Sequence, residues 1–131
     1  MRTGRILLTL LRVGAGLQVV VGLALWSGHW YSLRNLHMAI GVAFVLLLWS
    51  IAIIALVQRR RVGLALLALL WGVVIVAVGV TQQSILPGDL HWIVRVLHLV
   101  IGIAAMPIGE LLSVGARAPG REGRSTTVAV G

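Results

Sequence analysis

The chain has 131 residues, of which 60% are hydrophobic, and its mean hydropathy is +1.06. This composition lies far above the range of soluble globular domains and indicates a membrane protein. The formal net charge is +8 and cysteine is absent, which excludes disulfides, iron–sulfur clusters and covalent c-type haem attachment through C-x-x-C-H.

Four apolar segments predict an all-α fold, a polytopic membrane four-helix bundle. In chain order they run at about 6–26, 35–57, 62–82 and 90–114. Each has roughly the 20 residues that a helix needs to cross the hydrocarbon core, and helices are expected because backbone polar groups in lipid must be satisfied within the segment. Residues 1–114 are predicted to form one transmembrane domain. Residues 115–131, rich in Gly, Arg, Ser and Thr, are predicted to form a disordered basic cytoplasmic tail.

The basic residues are all arginines, and their distribution predicts the orientation of the chain in the membrane. Nine lie at the N-terminus, between the second and third segments, or in the tail: Arg2, Arg5, Arg12, Arg59, Arg60, Arg61, Arg117, Arg121 and Arg124. Only Arg34 and Arg95 lie on the other side. The positive-inside rule therefore predicts that both termini are cytoplasmic in a multi-pass protein of the cytoplasmic membrane. Because the arginines flank apolar spans, they indicate a lipid bilayer, and not a nucleic acid, as the partner.

One phrase occurs twice and divides the chain into two tandem helix pairs. Residues 34–41 and 95–102 both follow the pattern R-x-L-H-x-x-I-G, 61 positions apart, near the start of the second and fourth segments. Each pair contributes an even number of crossings, so both pairs have the same orientation and a pseudo-twofold axis along the membrane normal can relate them. This arrangement predicts that His37 and His98 face each other at similar depth.

His37 and His98 are the candidate metal ligands. An ionisable side chain within a bilayer is costly and marks a functional site by default. Two imidazoles from facing helices supply both axial ligands of a haem iron. The expected cofactor is one haem b per chain, held by a bis-histidine pair that leaves no open position for oxygen and suits electron transfer. The alternative is that each histidine hydrogen-bonds a neighbouring helix.

The other residues of the repeat are candidate haem-binding groups. Arg34 and Arg95 precede the histidines by three positions, on nearly the same helix face. A guanidinium there can bind a haem propionate, or else extend to lipid phosphate. Gly41 and Gly102 follow the histidines by four positions. They are predicted to let a flat macrocycle approach the backbone, with ordinary helix packing as the alternative.

Three smaller expectations concern the ends of the segments. Ser32 and Asp89 are expected to cap the second and fourth helices, since short polar side chains accept hydrogen bonds from the free N–H groups there. Glu110, near the other end of the fourth segment, is expected to pair with Arg12 or with the arginines at 59–61.

With its four apolar segments and the histidines at 37 and 98, the sequence resembles one half of haem A synthase. The resemblance covers about residues 7–112 and includes the third-to-fourth-segment run from Gly79 to His98. That family is built from two four-helix halves, each with a histidine near the start of its second helix and another at its fourth. The resemblance implies that His37 and His98 are axial ligands of a haem.

The chain also departs from that family. The catalytic half of the family carries a glutamate about one turn before its first helix-two histidine, where this chain has Leu33 and Arg34. The family's loop cysteine pair and second four-helix half are missing here. These departures favour a half-sized, b-haem-binding relative over an enzyme that hydroxylates haem O.

Two classes of function follow. The first is a b-type cytochrome that exchanges electrons with a redox partner protein or a quinone. One haem near one face cannot carry electrons across the whole bilayer, so a partner subunit or a homodimer is implied. The second is a non-catalytic accessory or assembly subunit of a larger membrane complex. In such a subunit the histidines are structural, or each ligates the metal of another tetrapyrrole, such as the magnesium of a (bacterio)chlorophyll.

Overall fold

The computed structural model describes residues 2–114 and contains four long helices. They are α1 (Arg2–Trp26), α2 (Arg34–Val57), α3 (Val62–Thr81) and α4 (His91–Val114). Two short 3-10 helices, Tyr31–Leu33 and Gln82–Ser84, lie in the α1–α2 and α3–α4 connections. The helix ends agree with the predicted segments within one residue, except that α1 begins four residues earlier. The tail predicted at 115–131 lies outside the described residues.

All four helices are long and apolar enough to cross a membrane. The part of the chain from residue 2 to residue 114 contains no strand. Large apolar side chains such as Val20 and Leu70 remain exposed on the outside of the bundle, which is the surface expected to contact lipid acyl chains. The predicted all-helical fold, with four helices long and apolar enough to span a membrane, is therefore confirmed for the described residues.

The helices pack as a four-helix bundle in which α2 and α4 also touch across the diagonal. Each helix contacts its neighbours along the chain, and α1 closes the bundle against α4. Leu11 and Leu48 are fully buried at the seams. Four alanines are also completely covered: Ala52, Ala65, Ala68 and Ala105. Small residues at these contacts let helix backbones approach closely, which is how helices associate within lipid.

Two tryptophans join neighbouring helices by hydrogen bonds. Trp49 Nε1 donates to the carbonyl oxygen of Leu69, from α2 to α3, at 3.1 Å. Trp71 Nε1 donates to that of Ile101, from α3 to α4, at 2.9 Å. The Trp49 ring also packs directly on Gly72, where a Cβ atom would collide with the indole. A buried indole N–H needs an acceptor, and these carbonyls on the adjacent helix satisfy it.

One end of the bundle, which we call the arginine end, carries the α2–α3 turn and the ion pair between Arg12 and Glu110. Arg12 donates from Nε and Nη2 to Glu110 Oε1, at 3.0 and 2.8 Å. This contact ties α1 to α4 and confirms the first of the two partners expected for Glu110. Arg61 instead donates from Nη1 to the carbonyl oxygen of Leu111.

The α2–α3 turn explains why α2 ends where it does. The N–H of Arg60 donates to the carbonyl of Ala55, and the N–H of Arg59 donates to that of Leu56. This is the Schellman pattern, which requires a left-handed residue at the position after the helix. Arg59 adopts that conformation with φ 51, although glycine is the usual residue there. The tight turn makes α2 and α3 antiparallel neighbours.

The opposite end, the histidine end, contains the α1–α2 and α3–α4 connections. Ser32 lies within the first 3-10 helix, and Leu33, the residue before α2, makes no side-chain capping hydrogen bond. The cap expected from Ser32 is therefore wrong. α4 begins at His91, whose N–H donates to the carbonyl of Gly88, so Asp89 does not directly precede the helix. Short-range backbone bonds satisfy N–H groups that side chains were expected to cap.

Candidate functional site

His37 on α2 and His98 on α4 approach each other near the histidine end of the bundle. Their ring centroids are 6.3 Å apart, and the ring planes are inclined at 60°. Both side chains are half-buried. They come from the diagonal helix pair, whose side chains meet only when they point into the bundle. The two repeated histidines therefore lie within reach of one common ligand.

Two glycines outside the repeat contact these rings, and neither was predicted as a site residue. A Cβ atom on Gly22 of α1 would lie 3.3 Å from Cε1 of His37, and one on Gly79 of α3 would lie 3.4 Å from Cε1 of His98. A glycine of the preceding helix thus contacts the histidine ring in both helix pairs. Neither glycine belongs to the repeated pattern, so the repeat did not identify them.

The two glycines of the repeat lie in different surroundings. A Cβ atom on Gly41 would be 2.7 Å from Nε2 of Gln18, whereas one on Gly102 would meet nothing within 4 Å. The space beside Gly41 is therefore filled by the amide of Gln18 on α1. Of the two glycines, only Gly102 has open space beside it, and a macrocycle would need such space.

Three buried polar atoms in this region have no hydrogen-bond partner among the described residues. They are Nδ1 of His37, Nδ1 of His98 and Oε1 of Gln18. An unsatisfied buried group costs roughly 1–3 kcal/mol. Such groups are normally satisfied by protein, by a ligand or by ordered water. Their concentration within about one helical turn of an otherwise apolar bundle marks this region as a candidate binding site.

The histidines fit a haem in donor type and in spacing. Nitrogen–metal distances of about 2 Å on each side of one metal ion would place two imidazole centroids roughly 6 Å apart, close to the observed 6.3 Å. No group of three or more His, Cys, Asp or Glu that could hold a metal ion occurs in residues 2–114. A haem needs only two protein ligands, because the macrocycle supplies four nitrogens to its iron.

Arg34 and Arg95 lie about one turn closer to the histidine end than the rings and are exposed. Within the described ranges, the ion pair at the arginine end is the only one found, so both guanidinium groups are free to bind an anion. Arg95 also borders a shallow open depression of about 390 Å³. The other residues around it are Gln83, Pro87, Gly88 and His91.

The two remaining histidines lie apart from the ring pair. His29 is exposed in the α1–α2 connection. His91 begins α4, and its Nδ1 lies 3.3 Å from the carbonyl oxygen of Ile85. This contact joins His91 to the α3–α4 connection. The histidines therefore divide into an inner pair and two residues of the connecting segments.

No family model, no curated protein and no solved structure matches this chain. None of these comparisons links the chain to haem A synthase.

Proposed function

We propose that the chain is a b-type cytochrome of the cytoplasmic membrane that binds one haem b between His37 and His98 and takes part in electron transfer. The observation that carries this proposal is the approach of the two imidazoles from α2 and α4, with 6.3 Å between their centroids. The unpartnered Nδ1 atoms of both rings support it. We propose the orientation that the positive-inside rule favours, in which both termini are cytoplasmic and the histidine end lies at the outer face of the membrane.

His37 and His98 would hold the haem iron through their imidazole nitrogens. A haem bound there supplies a one-electron ferric–ferrous couple. Such a couple would let the protein exchange single electrons with a redox partner protein or a quinone. The chain itself forms and breaks no covalent bond. Its part is to hold the two rings, with Gly22 and Gly79 against them, and to surround the site with apolar helices.

Arg34 and Arg95 would bind the two propionates of the haem. Both guanidinium groups lie on the outer side of the rings, and neither is used in an ion pair within the described part of the chain. They also lie in the first turns of α2 and α4, where the positive ends of the helix dipoles favour anions. A guanidinium binds a carboxylate through two parallel hydrogen bonds.

The position of the site implies a partner. The rings lie near one end of the bundle, and the hydrocarbon core is about 30 Å thick. A single haem there cannot carry an electron to the opposite face. Electron transfer would therefore require a quinone, a redox subunit or a second copy of the chain bound beside the histidine end.

Haem content and the pyridine haemochrome spectrum of the purified protein test the proposal. We expect one haem b per chain in the wild type and its loss in both His37→Ala and His98→Ala. His29→Ala and His91→Ala are matched controls, because they remove histidines outside the ring pair and should retain haem. His37→Gly with added imidazole should regain haem, which separates the loss of a ligand from the loss of the fold.

Two results would contradict the proposal. One is a colourless wild type when haem is supplied during expression. The other is full haem content in both His37→Ala and His98→Ala. Either result would favour the accessory-subunit alternative, in which the two rings pack against each other as part of the helix interface.

A further inference from the structure

We propose that Gln18 of α1 is a positioning residue for His37, and that its side-chain amide hydrogen-bonds Nδ1 of that ring directly or through one water. This role deepens the proposed function and rests on it, because it makes the two iron ligands unequal. Between Val13 and Trp26, Gln18 is the only side chain of α1 with an amide, a hydroxyl or a charge. A polar side chain in the middle of a span is costly without a partner.

The packing of α1 against α2 places Gln18 and His37 in one seam. The Gln18 amide lies against Gly41, and Gly22, one turn further along α1, lies against His37. The amide and the imidazole are thus neighbours along the seam, about one helical turn apart. Rotation of the flexible Gln18 side chain, or one bridging water, spans that separation.

The two groups also complement each other chemically. Oε1 of Gln18 is a buried acceptor without a partner, and Nδ1 of His37 is a buried ring nitrogen without a partner. A histidine that binds a metal through Nε2 carries its proton on Nδ1, and it almost always donates that proton to an oxygen of the protein or to water. In this seam the oxygen available to His37 is Oε1 of Gln18.

The second helix pair lacks this acceptor. Gln18 lies four residues before Gly22, which contacts His37. Four residues before Gly79, which contacts His98, the chain has Ile75, which is buried and apolar. His98 therefore has no matching amide. A hydrogen bond to Nδ1 makes an imidazole a stronger electron donor to its metal, which stabilises the ferric state. Gln18 should accordingly lower the reduction potential of the bound haem through His37 alone.

The haem-loaded protein gives the first test. Gln18→Ile makes the two sides alike and should raise the midpoint potential without loss of haem. Ile75→Gln supplies an amide to His98 and should lower the potential. Ile75→Leu is the matched control and should leave the potential unchanged. An unchanged potential in Gln18→Ile, with full haem content, would overturn the assignment.

The haem-free protein gives a second test that does not depend on the proposed function. In protein labelled with 15N-histidine, ring nitrogen shifts report which nitrogen carries the proton. We expect His37 to be held in the Nδ1-protonated form in the wild type and to become a mixture of tautomers in Gln18→Ile, with His98 unchanged. If the wild type binds no haem but this difference is seen, the cytochrome proposal fails and the Gln18 contact stands. If His37 is unaffected by Gln18→Ile, the contact itself is wrong.

Discussion

Replacing Gly72 with alanine should destabilise the bundle, whereas the same replacement at Gly102 should not. Gly72 lies beneath the Trp49 indole. Three atoms of that ring lie too close to the position that a Cβ atom on Gly72 would take. The indole cannot move freely, because its Nε1 donates to the carbonyl oxygen of Leu69 on the next helix. Gly102 has nothing within 4 Å of the same position, so it provides a matched control.

The magnitude follows from three contributions. Overpacking a fixed side chain costs about 1–3 kcal/mol. Weakening an interhelical hydrogen bond within a membrane costs about 0.6 kcal/mol. Alanine is favoured over glycine in a helix by about 1 kcal/mol. The free energy of unfolding of Gly72→Ala should therefore fall by about 0.5–2.5 kcal/mol, and that of Gly102→Ala should rise by about 0.5–1 kcal/mol.

Reversible unfolding in mixed detergent micelles, followed by circular dichroism, measures both changes. A double-mutant cycle with Trp49→Phe identifies the cause, because the smaller ring removes the collision. Gly72→Ala should cost clearly less in the Trp49→Phe background than in the wild type. Equal effects of Gly72→Ala and Gly102→Ala, or strict additivity in the cycle, would refute this packing of α2 on α3.

Two further variants test other contacts. Arg12→Gln breaks the ion pair with Glu110. Because the paired side chains are 56% and 43% exposed, the free energy of unfolding should fall by no more than about 1 kcal/mol. Arg5→Gln, which breaks no ion pair, should have a smaller effect in the same assay. Gly22→Val pushes a methyl group against the His37 ring and should lower haem content. Gly16→Val, on the same helix with nothing within 4 Å of its Cβ position, should retain haem. Equal haem content in the two variants would contradict the contact with the ring.

The four helices could be predicted because the thickness of a bilayer fixes the length of an apolar segment. Seven of the eight helix ends agree with the segments within one residue. The exception is the start of α1, where the helix continues through the polar residues before Ile6. Hydropathy reports the apolar length of a segment, and a helix can extend beyond it.

The site could be predicted only in part. The repeat identified His37 and His98, because a residue that recurs at the same place in two helix pairs is brought to the same depth by their symmetry. Gly22, Gly79 and Gln18 were missed because they belong to other helices. Their contacts depend on how α1 and α3 are rotated against their neighbours, and apolar segments without a strong polar face do not reveal that rotation.

The spin state of the ferric iron in the purified protein, measured by electron paramagnetic resonance, tests the central claim most directly. Two axial imidazoles give a low-spin centre, whereas a single imidazole leaves a position open or bound by water and gives a high-spin centre. Ligation by both His37 and His98 predicts a low-spin signal in the wild type and its replacement by a high-spin signal, or by loss of haem, in His98→Ala. A high-spin signal in the wild type, or a low-spin signal that survives in His98→Ala, would contradict bis-histidine ligation.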